Sequence, residues 1–270
     1  MVKKIFSGCY LALVLLFIYT PILFVVVFSF TESGVMGSWQ GFSLNLYRDL
    51  FSGEKGAQIL RVFLNTLEVG LIASAIATLF GTAGAIGIFY SRKKAKRTFS
   101  FLNQIPVVNA EIVTGISLLL LFLIVALPRG PVTVVIAHVT FCAPYVVLSV
   151  LPKLKQMNNN IYEASLDLGA TPMKSLFSVI LPEILPGVIS GFVLSFTLSI
   201  DDFVVTNYTT SSSFDTLSTF IYKDAVKGGL TPSLRALSTL IFVVVLVLLF
   251  VTNFRGNKDK VRKPGRGKRA

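Results

Sequence analysis

Six segments of this chain are apolar over enough residues to cross a lipid bilayer, and they restrict the fold more than any other feature. A spanning helix needs about 20 mainly apolar residues, because the hydrocarbon offers the backbone no hydrogen-bond partner outside the helix itself. Only 14% of the 270 residues are charged, whereas soluble domains carry about a quarter. The sequence therefore predicts an all-α membrane protein with six transmembrane helices, near residues 7–30, 62–90, 104–127, 131–151, 183–207 and 236–254.

The basic residues are distributed unequally between the predicted loops, and this asymmetry predicts the orientation of the chain. If the N-terminus is cytoplasmic, most of the 25 Lys and Arg residues fall in inner segments, among them the run Arg92–Arg97. Such an excess marks the cytoplasmic side, so we expect both termini there. Residues 1–254 are predicted to form the transmembrane domain. The basic residues 255–270 are predicted to be a disordered tail that contacts membrane lipid, and nucleic-acid binding is the less favoured explanation of the net charge of +12.

The sequence lacks the motifs of nucleotide chemistry and of catalysis. No G-x-x-x-x-G-K-[ST] phosphate-binding loop occurs in the sequence. The lone histidine, His138, lies in the fourth predicted span without a Ser or Cys at triad spacing, so a buried structural histidine is the favoured interpretation. Cys9 and Cys142 lie in apolar runs and are typical of small core residues. We expect no catalytic residue, metal or cofactor in this chain.

Acidic residues at membrane depth are the least expected feature of so apolar a sequence. Asp201 and Asp202 are adjacent in the fifth predicted span, Glu111 lies in the third, and neither span contains a Lys or Arg. A charge at the centre of a bilayer costs about 2.5–3.5 kcal/mol on insertion scales, so such residues usually serve a function. The favoured interpretation is a pathway for a cation, with aromatic rings beside it.

Structural explanations of the same acids remain open. In one, Asp202 and Ser199 cap a broken helix while Asp201 lies at the membrane interface. In another, a partner subunit supplies an arginine that neutralises the acids. The aromatic residues expected beside a cation pathway are Phe203, Tyr208 and the outer Trp39.

The second predicted span carries glycines at every third position, Gly81, Gly84 and Gly87, close to one helix face. Small residues of this kind let a neighbouring helix approach closely. We therefore predict a packing role for them, in preference to substrate contact.

The inner loop between the fourth and fifth spans has the pattern of a helix–turn–helix. Asn158–Asn160 are predicted to cap a helix that stops at Gly169, and a second helix is predicted to start near Thr171 with Pro172 at its first position. The residues alone leave open whether this is simply an amphipathic hairpin on the membrane surface.

This loop contains Glu163, Ala164 and Ser165, then Gly169, and then Val179, Leu181 and Pro182. With these residues the sequence resembles the permease subunits of binding-protein-dependent ABC importers, whose pattern is E-A-A, then Gly, then Ile-x-Leu-Pro. Ser165 and Val179 are conservative replacements in that pattern. The resemblance implies a type I ABC importer permease fold, with a cytoplasmic coupling loop at about 158–182 seated in a separate ATPase subunit. ATP and Mg²⁺ would then be bound by that partner. The residues implied in coupling are Glu163, Ala164, Asp167, Gly169, Leu181 and Pro182.

Over most of its length the chain is also similar to the C-type permease of spermidine/putrescine importers, on segments that include Ser38–Phe51 and Leu194–Val205. This resemblance implies polyamine transport across the bacterial cytoplasmic membrane. The implied partners are a homologous B-type permease, two ATPase subunits and an extracytoplasmic polyamine-binding protein. The alternative is the same class of ABC importer with another solute, such as ferric iron or thiamine, and a secondary transporter is less favoured because of the coupling loop. The substrate contacts implied are Asp201, Asp202 and Glu111, with Trp39 and Ser199 as weaker candidates.

Overall fold

The computed structural model describes residues 2–35, 37–227 and 231–261. This part of the chain is helical, apart from loops and one isolated β-bridge between Thr31 and Phe42. It divides into two compact units, residues 1–60 with 224–270, and residues 61–223. The helices are α1 (Val2–Phe28), α2 (Asn45–Ser52), α3 (Glu54–Tyr90), α4 (Lys93–Val108), α5 (Glu111–Ile124), α6 (Pro131–Gln156), α7 (Asn159–Asp167), α8 (Pro172–Ser175), α9 (Leu181–Asp201), α10 (Val204–Thr209), α11 (Leu217–Val226) and α12 (Ser233–Val261).

The apolar helices agree with the predicted membrane fold. Four helical stretches in the described residues are long and apolar enough to cross a bilayer, and the bent pair α4 and α5 together meets the same criterion. The apolar part of α12, Ser233–Val247, is shorter. The all-helical membrane fold is therefore confirmed, while the count of six crossings stays a prediction. The four long stretches are Phe6–Phe28, Lys55–Tyr90, Pro131–Gln156 and Pro172–Asp201.

In the first unit, α12 packs against α1 and α2 and fixes the loop that follows α1. The guanidinium of Arg235, buried at the start of α12, donates to the carbonyl oxygens of Phe28 (3.2 Å) and Ser33 (2.7 Å). These bonds satisfy a carbonyl at the end of α1, where helices lack internal partners. At the other end of α12, the structure describes the helix to Val261. The predicted tail 255–270 therefore begins within α12, and its residues 255–261 are helical. Residues 262–270 lie outside the described residues, so disorder of that part stays a prediction.

In the second unit, α3 and α9 pack closely on α6. A Cβ atom added to Gly81 would lie 2.5 Å from the Cβ atom of Val146, which leaves no room for a side chain. At Gly84 the nearest neighbouring atom would be 3.7 Å away, and at Gly87 no atom lies within 4 Å. The predicted close approach of a neighbouring helix is thus confirmed at Gly81, but it does not extend to Gly84 and Gly87. The buried core around this contact includes Val146, Val150, Leu154, Ile180 and Ile184.

The predicted helix–turn–helix of the inner loop is confirmed in its details. The Asn158 side chain caps α7 by accepting a hydrogen bond from the Asn160 amide at 3.1 Å. Gly169 ends the turn after α7 with φ +83°, a left-handed conformation that glycine adopts without strain. Thr171 caps α8 and Pro172 occupies its first turn, as expected. A π-helical turn, Leu176–Ile180, joins α8 to α9.

Candidate functional site

Two interrupted helices define the candidate site, and the first interruption lies within the predicted third span. α4 ends at Val108, the next two residues are extended, and α5 starts at Glu111 in a direction that differs by 103°. Pro106 lies in the last turn of α4, where its missing N–H weakens the helix. The predicted single span 104–127 therefore contains a break between two helices. Glu111 lies in the first turn of a new helix instead of in the middle of a longer one.

The second interruption lies between α9 and α10. α9 ends at Asp201, and Asp202 has an extended backbone with ψ 127°. The Asp202 carboxylate then caps α10, because it accepts hydrogen bonds from the amides of Val205 (3.1 Å) and Thr206 (2.8 Å). The predicted span 183–207 is therefore two helices, with a break on which both acids lie.

A buried hydrogen-bonded network connects this break to α6. The Nδ1 atom of His138 lies 2.6 Å from the Ser199 hydroxyl, and its Nε2 atom lies 2.8 Å from the Thr206 hydroxyl. The Thr206 hydroxyl in turn donates to the Asp202 carboxylate at 2.7 Å. The side chains of His138 and Asp202 are only 1% and 3% exposed. Such contacts favour a structural explanation for Asp202 and Ser199, and their role as direct substrate contacts stays a prediction.

Asp201 and Glu111 differ from Asp202, because both are exposed and both line one cleft between the two breaks. Neither carboxylate forms an ion pair with any residue that the structure describes. The cleft has a cavity volume of about 90 Å³. The residues that line it are Pro106, Asn109, Glu111, Thr114, Phe141, Tyr145, Leu198, Asp201, Asp202 and Val205.

The helix ends act differently on these two exposed acids. Glu111 lies at the N-terminal end of α5, where the helix dipole stabilises a negative charge. Asp201 lies at the C-terminal end of α9, where the dipole and the unpaired carbonyl oxygens of the last turn disfavour one. Local structure therefore accounts for a carboxylate at Glu111 and does not account for one at Asp201. An arrangement with two carboxylates and a helix C-terminus can bind a cation.

The aromatic side chains expected at the site lie elsewhere. Phe203 packs against Tyr222 with ring centres 4.6 Å apart, and Tyr208 packs against Gly115 of α5. Trp39 belongs to the first unit, where its ring meets Phe28 edge-on.

Two rings that sequence reasoning missed, Phe141 and Tyr145 of α6, line the cleft instead. Their spacing from His138, three and seven residues, places all three on one helix face, and this was the available signal.

Sequence reasoning also missed another acid within a predicted span, Glu68 of α3. Its side chain is exposed and is not part of the cleft. Gly70, two residues further on, packs against Phe196 and Ile200 of α9. Since helix positions two apart lie on nearly opposite faces, Glu68 points away from α9.

The predicted coupling residues occupy two kinds of environment. Glu163, Ala164, Asp167 and Gly169 are exposed on and after α7. Leu181 is half-buried against the core of the second unit. Large apolar side chains beside the exposed group are also exposed, namely Leu168, Met173 and Phe177.

Comparisons with known proteins agree with this anatomy. The chain is 35% identical to the putrescine transport system permease protein PotI of Escherichia coli over 94% of its length and 92% of that protein. It is 33% identical to the spermidine/putrescine transport system permease protein PotC of Escherichia coli, over 97% of each chain. A similar protein in Mycoplasma pneumoniae, a PotC homolog, is 31% identical over 91% of this chain and 88% of its own.

Solved structures share the fold at low sequence identity. A bacterial ABC transporter involved in the import of the acidic polysaccharide alginate matches with a TM-score of 0.70 and 13% identity, over 95% of this chain and 96% of that one. The MetNI methionine ABC transporter matches with a TM-score of 0.60 and 20% identity, over 77% of this chain and 97% of that one. Residues 1–256 match the family described as the inner membrane component of binding-protein-dependent transport systems. Because the family match and the relatives cover nearly the whole chain, the protein belongs to this family of transport components.

Proposed function

We propose that this chain is the C-type permease subunit of an importer that moves polyamines, such as putrescine and spermidine, across the bacterial cytoplasmic membrane. The similar proteins from Escherichia coli carry names that specify these two substrates. The observation that carries the proposal furthest is the placement of Asp201 and Glu111. Both are exposed and unpaired among the described residues, and both line one cleft at broken helices.

A polyamine is the kind of substrate that this cleft suits. In transporters, the ends of broken helices commonly supply ligand contacts, with C-terminal ends facing cations. The carboxylates of Asp201 and Glu111 would neutralise ammonium groups. The rings of Phe141 and Tyr145 would contact the methylene stems and add cation–π attraction.

The proposed complex also contains a homologous B-type permease, two ATPase subunits and an extracytoplasmic polyamine-binding protein. The family implies an ATPase and a substrate-binding protein in general terms. With both termini cytoplasmic, the hairpin α7–α8 would face the ATPase and present Glu163, Asp167 and Gly169 to it. ATP and Mg²⁺ would be bound there. The binding protein would dock on the outer segments 31–61 and 208–235.

Transport would follow alternating access. ATP binding closes the two ATPase subunits, the hairpin transmits this motion, and the permease helices turn from an inward-facing to an outward-facing arrangement. The cleft would then receive the polyamine from the binding protein. After hydrolysis the helices would return and release the polyamine to the cytoplasm.

The test is uptake of labelled putrescine by the complete complex in proteoliposomes, comparing wild type with Asp201→Asn and Glu111→Gln. Each variant keeps the size of the side chain and removes its charge. We expect transport efficiency to fall roughly 10- to 100-fold, the effect of losing one charged contact. Glu68→Gln is the matched control, because it removes an exposed acid of a membrane helix outside the cleft.

Unchanged uptake by the Asp201 and Glu111 variants would reject the cation pathway, provided that each complex assembles normally.

Competition identifies the cargo in the same assay. Excess unlabelled putrescine or spermidine should suppress uptake, whereas thiamine and ferric iron should not. Efficient transport without the ATPase would instead indicate a secondary transporter.

A further inference from the structure

We propose that His138 is a positioning residue for the transport site. Its imidazole, which donates from Nε2, would hold the break between α9 and α10 and thereby keep Asp201 directed into the cleft. The inference concerns the mechanism of the proposed function and rests on it. The sequence alone favoured a merely structural role for His138.

The directions of the hydrogen bonds determine the tautomer. An ionised carboxylate can only accept hydrogen bonds, so the Thr206 hydroxyl donates its single proton to the Asp202 carboxylate at 2.7 Å. This hydroxyl must then accept from the Nε2 atom of His138, 2.8 Å away. In a neutral ring the Nδ1 atom is left to accept from the Ser199 hydroxyl at 2.6 Å. Ser199, His138, Thr206 and Asp202 thus form one chain of hydrogen bonds, in which every polar side-chain group has a partner and each donor points toward Asp202.

The same chain of hydrogen bonds joins the two helices on either side of the break, α9 and α10. Ser199 is in the last turn of α9, two residues before Asp201, and Thr206 is in α10. His138 of α6 bonds to both. Since all three side chains are buried, water does not compete for these bonds. The imidazole therefore fixes the backbone on either side of Asp201.

His138 also contacts the aromatic wall of the cleft. Its ring centre lies 5.2 Å from that of Phe141, which lines the cleft. Both side chains belong to α6. The histidine therefore contacts the aromatic side of the cleft and also bonds to the helices that carry its acidic side. A residue that only fills space would not need two directed bonds to neighbouring helices.

The functional test compares three substitutions in the complete complex. His138→Gln retains an amide donor near the Nε2 position, whereas His138→Leu fills the volume without any donor or acceptor. We expect His138→Leu to raise the KM for putrescine about tenfold, because both hydrogen bonds from the ring to the break are lost. His138→Gln should restore most of the affinity. Ser199→Ala should show a smaller increase, because the bond to Thr206 remains.

A double-mutant comparison shows whether His138 acts through Asp201. In an Asp201→Asn background, His138→Leu should cause little further increase in KM. Equal effects in both backgrounds, or equal defects of His138→Gln and His138→Leu, would overturn the proposal. If His138→Leu does not assemble, the same comparison is made with Ser199→Ala, which leaves the histidine in place.

A spectroscopic measurement tests the tautomer without any substrate. Because the chain has one histidine, the ¹⁵N signals of His138 in the labelled complex are those that disappear in His138→Gln. The proposal expects a proton on Nε2. A ring whose Nε2 atom carries no proton would contradict it. This result is independent of the cargo, so it distinguishes a wrong substrate from a wrong network.

Discussion

At the scale of single residues, two neighbouring acids have opposite environments. Asp201 is exposed in the cleft at the unfavourable end of α9, whereas Asp202 is buried and accepts three hydrogen bonds from α10. A carboxylate with three donors contributes to the stability of the fold, because breaking buried bonds to a charged group is costly. A carboxylate without a partner is available to a ligand. Asp202 thus stabilises the scaffold, while its neighbour Asp201 is the residue that we propose for the transport site.

This contrast predicts different effects on stability. Asp202→Ala removes the cap of α10 and should destabilise the protein by about 1–3 kcal/mol. Asp201→Ala should change stability by less than about 0.5 kcal/mol, since no partner loses a bond. The measurement is thermal unfolding of the purified complex in detergent. A lower Tm for Asp201→Ala than for Asp202→Ala would show that the assignment is reversed.

The sequence identified the acids, and one of the explanations that it left open separated a capping Asp202 from Asp201, but the sequence could not decide between the explanations. Charge within an apolar segment indicates function whatever the local backbone does, so Asp201 and Glu111 stood out. The separate role of Asp202 depends on a helix break that becomes clear only when Thr206 and His138 are seen beside it. Phe141 and Tyr145 were missed because their spacing shows only that they share a helix face with His138, and it does not show that this face borders a cleft.

At the scale of helices, some helices pack closely against each other, whereas others are interrupted near the cleft. Gly81 lets α3 approach α6 so closely that no Cβ atom would fit, while α4–α5 and α9–α10 are broken near the cleft. Hydropathy predicted where most apolar segments lie, since it depends on composition over a window. It could not predict the breaks, because Pro106 and Asn109 hardly change that average. The ends of α7 and α8 were predictable, because capping residues mark them directly.

The packing of α3 gives a second prediction on stability. Gly81→Ala would force the added methyl group into Val146 and should destabilise the protein by about 1–3 kcal/mol. Gly87→Ala is the matched control, with no atom within 4 Å, and should be neutral or slightly stabilising through helix propensity. Thermal unfolding of both variants in detergent checks this difference. Equal Tm values would mean that α3 and α6 are not in close contact at Gly81.

At the scale of the whole molecule, the proposed passage needs partners that this chain does not contain. The cleft is open, and the apolar surface of α1 is almost fully exposed. A membrane helix with so little contact to its own chain is free to contact lipid or another subunit. In the proposed complex, the second permease would supply the opposite wall of the passage, and the exposed hairpin α7–α8 would receive the motion of the ATPase.

The most direct test of the cation passage is protection of a reporter cysteine inside the cleft. Thr114→Cys places a thiol among the cleft residues without removing either acid, in a Cys9→Ser background that leaves only the buried Cys142. A cationic, water-soluble thiol reagent is applied to the complete complex, and modification of this chain is measured by mass spectrometry. We expect modification that putrescine slows, and we expect this protection to disappear when Asp201→Asn is added. A thiol that never reacts, or protection that persists without the Asp201 charge, would contradict the account.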